Sequence, residues 1–505
     1  MPARFVDLGK NGKPQYLYRS DRKTKFRQVL WGDYLSVQEE MSDGWLKIVW
    51  APNSPQPQDV YIRKSDTIER RPLEIIFVDV GQGDGAVIIS PERGVDERIL
   101  VVDAGVGNNM ANFLNARFRS YTSEFDFEAA VITHPDMDHY WGLKPIFSNR
   151  NIGFETVYHN GLVERPVSGT WEKLGGRSAP DPTTGRRYLE SLALDNAVIE
   201  SEFGDKAVNG GKRFPQVIFE ALQNPKVENF RMLSTAHGTM EDAKTYVPGF
   251  APSDDRGYTM EVLGPVVELT GNGRPRLRLL GDYGQTKNGH SVLIKLSYGG
   301  FKVLLGGDLN VRAEKFLLSH YAGIDHFPTQ GTQAYDDMIA DASSTFRAEV
   351  MKVCHHGSAD VTDAFLETVN PAAFVISSGD QEGHVHPRPD LLGRLGRHGR
   401  GNAPVLLSTE LQRSTRERED QELVRRLKTD IDELAANPSD ELKASMAERV
   451  VALGRTNVDV WGAIYLKTDG DRLITAFKIE SNSDLKKWFY FEYELDDSGQ
   501  LALVR

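Results

Sequence analysis

Thr133-His134-Pro135-Asp136-Met137-Asp138-His139 comes directly after the apolar run AAVI (residues 129–132), which is typical of a buried strand. Four side chains of this stretch, two imidazoles and two carboxylates, are potential metal ligands. A loop at the carboxyl end of a strand can turn such side chains toward one point, whereas a regular helix or strand would spread them apart. Imidazole and carboxylate together suit zinc, manganese or iron better than calcium. The stretch therefore predicts a metal site at a strand end.

More potential ligands recur downstream, each at the end of a predicted strand. They are His290 at the start of HSVLIKLSYG, Asp308 at the end of VLLGGD, His355 and His356 after AEVMKVC, and His386 after AAFVISSGDQEGHV. A single histidine of this kind is more often a surface or core residue than a ligand. Repeated placement at strand ends makes coincidence a poor explanation, and we expect these loops to meet around a common pair of cations.

The pattern of apolar and polar residues changes several times along the chain. Residues 1–71 alternate like short strands, residues 72–410 combine apolar strands with helix-like segments, and residues 454–505 return to strand alternation. The stretch from about 160 to 255 is irregular and rich in glycine, proline and charge, which indicates an insertion. Residues 411–453 are highly charged, with apolar residues at helical spacing before Asn437-Pro438-Ser439, which interrupts the pattern and can cap a second helix. This predicts a helical hairpin. The expected architecture is an α/β core with additions.

Composition narrows the class of protein. The chain has 505 residues, too many for one ordinary domain. Its 60 basic and 72 acidic side chains give a net charge of −12, which keeps the chain soluble and repels phosphate backbones at long range. The sequence has no apolar run of membrane-span length and no signal-peptide pattern, so we expect a cytoplasmic protein without membrane contact. Cys354 is the only cysteine, which excludes intramolecular disulfides and multi-cysteine zinc sites.

The N-terminal region, residues 1–71, resembles a bacterial SH3-like β-barrel, with Gly44-Trp45-Leu46-Lys47-Ile48-Val49 as its most typical piece. Small all-β modules look alike in sequence, and the alternative is an extension that packs on the core. As a barrel, the region is expected to bind a partner protein or to position substrate.

The order of the motifs VDVGQGDG, VVDAG, THPDMDH, NGHS, GGD, HHGS, HPRPD and GAIYLKTDG resembles the metallo-β-lactamase domain of the ComEC competence proteins and their soluble relatives. The resemblance covers roughly Leu73 to Leu407 and the final strands. It implies an α/β fold, the αββα sandwich of that superfamily, with the small N-terminal barrel and a helical insertion added. It also implies a hydrolase with two divalent metal ions, zinc or manganese.

The resemblance assigns roles motif by motif. The first metal site is expected to use His134, Asp136 and His290, and the second Asp138 and His139, with Asp308 bridging both. One of His355 and His356 completes the second site. His355 is favoured, and His356 then faces substrate. Asp103 and Asp84 are expected to be carboxylates that orient the ligands, although Asp84 also fits a turn residue that accepts backbone amides.

Two such ions, about 3.5–4 Å apart, generate a hydroxide at neutral pH and stabilise the attacking and departing oxygens. Asp138 is then expected to position the attacking water. His386 is expected to bind phosphate or to donate a proton to the leaving oxygen. His384 competes for that role, and a loop histidine stacked under Pro387 is the plainer alternative for His386.

Substrate class is less well defined by the sequence. The stretch HPRPDLLGRLGRHGRG could form a basic helix face, with Arg388, Arg394 and Arg397 as candidate phosphate-binding residues. We therefore expect a phosphodiesterase or nuclease that acts on a phosphodiester substrate, with single-stranded nucleic acid as a candidate. The alternatives are hydrolysis of a small ester, lactone or phosphorylcholine-like substrate at the same site, and a non-catalytic interaction scaffold.

Overall fold

The computed structural model of the chain describes residues 3–51, 56–119, 123–206, 211–379, 386–410, 421–455, 463–479, 483–495 and 501–504. These residues form a mixed α/β protein with several sheets, as the alternation of strand and helix patterns predicted. No helix in these ranges is both long and apolar enough to cross a membrane.

Residues 4–68 form a β module. Its strands are β1 (Arg4–Val6), β2 (Gln15–Tyr18), β3 (Lys25–Val29), β4 (Tyr34–Leu35), β5 (Val37–Glu40), β6 (Trp45–Trp50), β7 (Gln58–Arg63) and β8 (Thr67–Ile68). They make a five-stranded sheet, β3-β2-β7-β6-β5, and a three-stranded sheet, β4-β1-β8. Leu17, Leu46 and Ile62 belong to a small apolar core of its own. The SH3-like identity of this module and its partner binding stay predictions.

The module is not an isolated unit. Trp31 and Leu30 are buried together with Ile474 and Tyr490 of the C-terminal strands. The buried ammonium group of Lys467 donates to the carbonyl of Trp31 at 2.7 Å. The module therefore packs directly on the core of the chain.

The chain continues with alternating strands and helices. These are β9 (Leu73–Phe77), β10 (Ala86–Ile89), β11 (Ile99–Val102), α1 (Asn109–Phe118), β12 (Phe125–Ile132), α2 (Met137–Tyr140), α3 (Leu143–Phe147), β13 (Ile152–His159), β14 (Tyr188–Leu189), α4 (Asn196–Phe203), α5 (Arg213–Leu222), β15 (Val227–Met232), β16 (Thr239–Glu241) and β17 (Lys244–Tyr246).

The second half follows the same alternation. Its elements are β18 (Tyr258–Gly264), β19 (Glu268–Leu269), β20 (Pro275–Arg278), α6 (Tyr283–Gly289), β21 (Leu293–Tyr298), β22 (Phe301–Gly306), α7 (Val311–Tyr321), α8 (Gln333–Phe346), β23 (Val350–Lys352), α9 (Asp363–Val369), β24 (Ala373–Ile376), α10 (Pro389–His398) and β25 (Val405–Ser408). The last elements are α11 (Gln421–Ala436), α12 (Asp440–Arg455), β26 (Ile464–Thr468), β27 (Arg472–Lys478), β28 (Trp488–Leu495) and β29 (Leu501–Leu503).

Two large sheets pack face to face between outer helices. The first has the order β15-β13-β12-β11-β10-β9-β26-β27-β28-β29, and the second β16-β17-β18-β21-β22-β23-β24-β25. Neighbouring residues of β9 show how the layers are held. Ile75 is buried between the sheets with Ile294, whereas Ile76 is buried on the opposite face with Leu114 of α1. Because both faces of such strands are covered, they read as continuous apolar runs.

The stretch from about 160 to 255 differs from the predicted insertion. β15 pairs in parallel with β13, for example at Val157 and Phe230, and so extends the first sheet. β17 joins the second sheet where Tyr246 pairs with Glu261. The irregular residue pattern of this stretch comes from long connections between short edge strands. The end of this stretch, from β15 to β17, therefore belongs to the sandwich, whereas β14 pairs with β20 in a small separate sheet.

The segment for which a helical hairpin was predicted holds α11 and α12, which are joined by an ion pair between Asp430 and Arg449. Residues 411–420 of that segment lie outside the described residues.

The predicted site residues follow strands whose carboxyl ends lie at one edge of the sandwich. β11 and β12 run in parallel, and so do β22, β23 and β24. The loops after β12 and β22 meet at one edge of the sandwich, because His139 Nε2 of the first loop lies 3.2 Å from Asp308 Oδ1 of the second.

Candidate metal centre

The loop after β12 carries the densest group of candidate ligands. Asp136 is the extended residue before α2, and its carbonyl accepts from the amide of His139 at 3.0 Å. This single turn brings His134 and His139 together, with ring centroids 4.1 Å apart. Both imidazoles are fully buried.

Asp308, at the carboxyl end of β22, lies at the centre of the site. Its Oδ1 is 3.2 Å from His139 Nε2, and its Oδ2 is 3.2 Å from His356 Nε2. The Nε2 atoms of His134 and His355 are each 3.9 Å from the same Oδ2. Histidines from two separate loops therefore surround one buried carboxylate.

These residues fit a metal ion. Within the described part of the chain, the buried Nε2 atoms of His134, His139 and His356 and the Oδ1 of Asp308 make no hydrogen bond. Such atoms are costly to bury unless something binds them. Two ligands about 2.1 Å from one tetrahedral ion lie about 3.4 Å apart, close to the separations seen around Asp308. The cluster thus has the donor set and the spacing of a metal site.

Carboxylates behind the histidines fix their orientation. Asp103 Oδ2 lies 2.8 Å from His139 Nδ1, and the backbone amide of Thr133 donates to Asp103 Oδ1 at 2.8 Å. Asp84 Oδ1 lies 3.0 Å from His356 Nδ1. A proton held on Nδ1 leaves the Nε2 lone pair facing the site, which is the usual arrangement of metal-binding histidines. Asp103 and Asp84 therefore occupy the places expected of orienting residues.

The site concentrates negative and positive charge in a buried volume. Burial by itself raises the pKa of Asp84, but the ammonium of Lys352 and the ring of His356 beside it lower that pKa to about 2. His356 and His139 hold the pKa of Asp308 well below its usual value despite its burial. Asp308 in turn holds the pKa of His139 and His356 above the usual value, against the effect of burial. The carboxylates therefore favour the ionised form, and a bound metal ion would displace the additional proton that they favour on His139 and His356.

The roles predicted for His355 and His356 need correction. His356 was expected to face substrate, yet it lies in the buried group formed with Asp84, His139 and Asp308. The side chain of His355, the favoured ligand, is 28% exposed and lies at the rim. Both residues have φ of 53°, and this left-handed turn is what directs consecutive side chains to different sides. Nothing in a His-His pair reveals this turn.

His290 is not placed as the first metal site requires. Its Nε2 lies 2.7 Å from the carbonyl oxygen of Arg278, and burial lowers its pKa to about 4. The next residue contacts the site instead. Ser291 Oγ lies 3.2 Å from His134 Nδ1 and accepts the amide hydrogen of Asp308 at 2.9 Å. The strand end therefore supports the site through Ser291 and not through His290.

Asp136, the other predicted ligand of the first site, is held by a lysine. Lys287 of α6 forms ion pairs with Asp136 and, at 2.9 Å, with Glu164. Asp136 Oδ2 is also 3.4 Å from His134 Nε2. Burial by itself raises the pKa of Asp136, but His134 and Lys287 bring it well below its usual value. A fixed positive charge therefore lies beside Asp136 and His134.

Lys287, Lys352, Glu164 and Ser291 were not identified from the sequence. Lys352 carried a signal, because a single lysine interrupts the apolar run of β23 and such a residue needs a buried partner. Lys287 lies on a short polar helix that looks like an ordinary surface element. Its contact with Asp136 depends on the packing of α6 against a loop far away in the chain.

A tight approach of two loops holds Asp138 in place. Gly83, with φ of 105°, lies so close to the metal loop that a β-carbon there would be 1.7 Å from the carbonyl oxygen of Asp138. The amide of Asp84 donates to that same carbonyl at 3.2 Å. Asp138 Oδ2 lies 3.6 Å from His356 Nε2 and therefore beside the cluster around Asp308. The glycine turn GQGD thus serves to bring Asp84 and Asp138 together.

The remaining predicted residues lie around the rim. The ring of His386 is 6.3 Å from that of His355, and His384 lies outside the described residues. The backbone amide of Arg388 donates to the carbonyl of Gly357 at 2.9 Å, and its side chain is exposed. Arg397 is exposed on α10.

Arg394 was predicted to bind substrate, and its contacts do not fit that role. Its guanidinium bonds Asp363 at 2.7 Å and the carbonyl of Val361 at 2.5 Å. It therefore ties α10 to α9.

No family model matches the chain. A stretch of 114 residues is 27% identical to ComE operon protein 3 of Bacillus subtilis (strain 168), covering 22% of this chain and 12% of that protein. A stretch of 113 residues is 27% identical to competence protein ComA of Neisseria gonorrhoeae, covering 22% of this chain and 13% of that protein. The matched stretch is therefore a small part of each relative.

Among solved structures, Tm1679, described as a metal-dependent hydrolase of the β-lactamase superfamily, aligns with a TM-score of 0.31 and 12% identity over 67% of this chain and 96% of that chain. The relation of this chain to known proteins rests on the two sequence matches and on the order of the site motifs. These matches confirm the resemblance to ComEC competence proteins: about a fifth of the chain is similar to part of them, and the chain has a buried His/Asp cluster that fits a metal.

Proposed function

We propose that the chain is a metal-dependent phosphodiesterase that acts as a nuclease on single-stranded nucleic acid, with two divalent ions, zinc or manganese. The observation that carries this proposal is the convergence on Asp308, where histidine nitrogens from two loops face one buried carboxylate. A pair of cations suits displacement at phosphorus because it stabilises both the attacking and the leaving oxygen.

The residues divide into two sets that share Asp308. Asp138, His139 and His356 would hold one ion, and His134 and Asp136 the other, with His355 in reach as a further ligand. When bound, the ions supply Lewis acidity and a water with a pKa of about 7. Because Lys287 already pairs with Asp136, we expect the ion at His134 to bind more weakly than the ion at His139.

The protein side chains have separate tasks in the reaction. Asp103 and Asp84 keep protons on the Nδ1 atoms of His139 and His356, so that the Nε2 atoms stay available to the ions. The free oxygen of Asp138 orients the attacking water. His386, near the partly exposed His355, donates a proton to the leaving oxygen.

The proposal is tested with metal-stripped protein reloaded with manganese or zinc. We expect hydrolysis of bis(p-nitrophenyl) phosphate and of a labelled single-stranded oligonucleotide. Asp308→Ala and His139→Ala abolish both activities, whereas His326→Ala, which changes an exposed histidine, serves as the matched control and retains them. Thermal melting of each variant separates loss of the site from loss of the fold.

Two results would contradict the proposal. One is a metal-loaded wild-type protein that hydrolyses neither phosphodiester. The other is faster turnover of a simple lactone or of p-nitrophenyl acetate, run under the same conditions, which would favour the ester or lactone alternative.

A further inference from the structure

A cavity of about 370 Å³ opens beside the metal loop. One wall is the loop itself, and the others come from the connection after β13 and from the first turn of α5. Its lining includes four basic residues, Arg165, Lys173, Lys212 and Arg213. We call this cavity the basic cleft. Its volume lies within the range of small-ligand sites, about 300–1,000 Å³.

The acidic residues of the cleft are partly neutralised. Asp136 and Glu164 both line it, and Lys287 forms an ion pair with each of them. The four basic residues of the lining outnumber its two acidic ones, so the cleft carries a net positive charge in a chain whose net charge is −12. A local positive surface of this kind attracts a polyanion that the rest of the molecule repels.

The cations at the start of α5 are not paired with acids in their observed contacts. Lys212 Nζ donates to the carbonyl oxygen of Val167 at 2.6 Å. The guanidinium of Arg213 contacts the sulfur of Met137 and lies 5.9 Å from the ring centre of Trp141. These neutral partners fix the side chains and leave both charges available to an anion. Arg213 is thereby anchored against the metal loop.

Two further features favour an anion in the cleft. Arg165 is almost fully buried, and although its Nε pairs with Glu202 at 2.9 Å, its Nη1 makes no hydrogen bond within the described residues. α5 begins at Arg213 without a side-chain cap on its free amides. Such a helix start attracts phosphate through its dipole and its unpaired N–H groups.

We propose that the basic cleft binds the phosphates of a single-stranded nucleic acid on one side of the scissile bond. This inference rests on the proposed phosphodiesterase function. It places the strand against Asp136, Met137 and Tyr140, which line the cleft and lie between the ligands of the metal loop or next to them. It also assigns strand binding to the edge of the first sheet, and not to the basic helix α10.

The test measures binding of a short fluorescent single-stranded oligonucleotide to metal-stripped protein by fluorescence anisotropy, over a series of salt concentrations. In the double variant K212E/R213E we expect Kd to rise at least about tenfold at low salt, and the dependence of log Kd on log salt to become shallower by about 1.4, since each lost phosphate contact on a single strand removes about 0.7. K212Q/R213Q, which keeps side-chain length better, should give a smaller loss in the same direction.

Matched charge changes elsewhere serve as controls. R274E/K302E alters two exposed basic residues by the same total charge and should bind like wild type. R388E/R397E tests the helix α10. If K212E/R213E binds normally, or if only R388E/R397E loses binding, the cleft proposal is overturned.

The outcomes for the cleft and for the catalytic proposal are distinguishable. If the wild-type protein hydrolyses bis(p-nitrophenyl) phosphate but does not bind the oligonucleotide, the cleft proposal is overturned and the hydrolase proposal stands. A protein that binds through Lys212 and Arg213 but hydrolyses no phosphodiester with metal overturns the catalytic proposal and supports the cleft as a binding site.

Discussion

Asp103→Asn tests whether a carboxylate that only orients a metal-binding histidine contributes to metal affinity. Asp103 accepts three hydrogen bonds, from the amide of Thr133 at 2.8 Å, from its hydroxyl at 2.6 Å, and from His139 Nδ1 at 2.8 Å. Its φ of 53° lies in the left-handed region, which asparagine also tolerates. The variant therefore keeps shape and backbone while removing the charge behind His139.

The expected magnitude follows from these contacts. Loss of an outer partner of a metal-binding histidine typically costs 10–100-fold in metal affinity, about 1.4–2.7 kcal/mol. The bond from Thr133 to Oδ1 can persist, so we expect the thermal midpoint of the metal-free protein to change much less than metal affinity does. Asp103→Ala, by contrast, leaves a buried amide unpaired and should destabilise the fold by about 1–3 kcal/mol.

The assay is competition for zinc between the metal-stripped protein and a chromophoric chelator, supported by calorimetric titration. Asp126→Asn, an exposed carboxylate on β12, is the matched control and should bind zinc like wild type. Unchanged zinc affinity in Asp103→Asn would refute the idea that this carboxylate orients His139.

Three other predictions test separate parts of the structure. Gly83→Ala should lower the free energy of unfolding by at least about 2 kcal/mol and weaken metal binding, because its new β-carbon meets the Asp138 carbonyl. The control is Gly94→Ala, where φ is also positive but the space is open, and it should cost about 1 kcal/mol. Equal losses of stability in the two variants would contradict the close approach at Gly83. Burial raises the pKa of Glu314 to about 8 from its ordinary 4.5, so the folded chain keeps a proton that the unfolded chain has lost, and the free energy of unfolding should fall as pH rises through that window. In Glu314→Gln that decline should be smaller by up to about 5 kcal/mol in urea unfolding across the pH range, and an unchanged slope would count against the buried acid. Arg394→Ala should lower the thermal midpoint by freeing α10 from Asp363 without changing KM for an oligonucleotide, and a raised KM would restore the role first expected of it.

The sequence predicted the parts of the site that depend on local order. His134, Asp136, Asp138 and His139 follow a buried strand, and a loop there had to gather them. In the same way, the stretch that was expected to form a basic helix does form one, α10, because helical periodicity is a local property.

Other features depended on geometry that local patterns do not encode. The contact of His290 with the carbonyl of Arg278 and the left-handed turn at His355 and His356 are decided by how distant segments pack. Lys287 reaches Asp136 from another helix for the same reason. The stretch from about 160 to 255 looked like an insertion because its edge strands are short and its connections long.

Anomalous diffraction from crystals of the zinc- or manganese-loaded protein, recorded on both sides of the metal absorption edge, tests the central claim most directly. We expect a peak about 2.0–2.3 Å from His139 Nε2, His356 Nε2 and an oxygen of Asp308, and a weaker second peak near His134 that shares Asp308. Metal peaks located elsewhere, with these side chains free of any ion, would contradict the account.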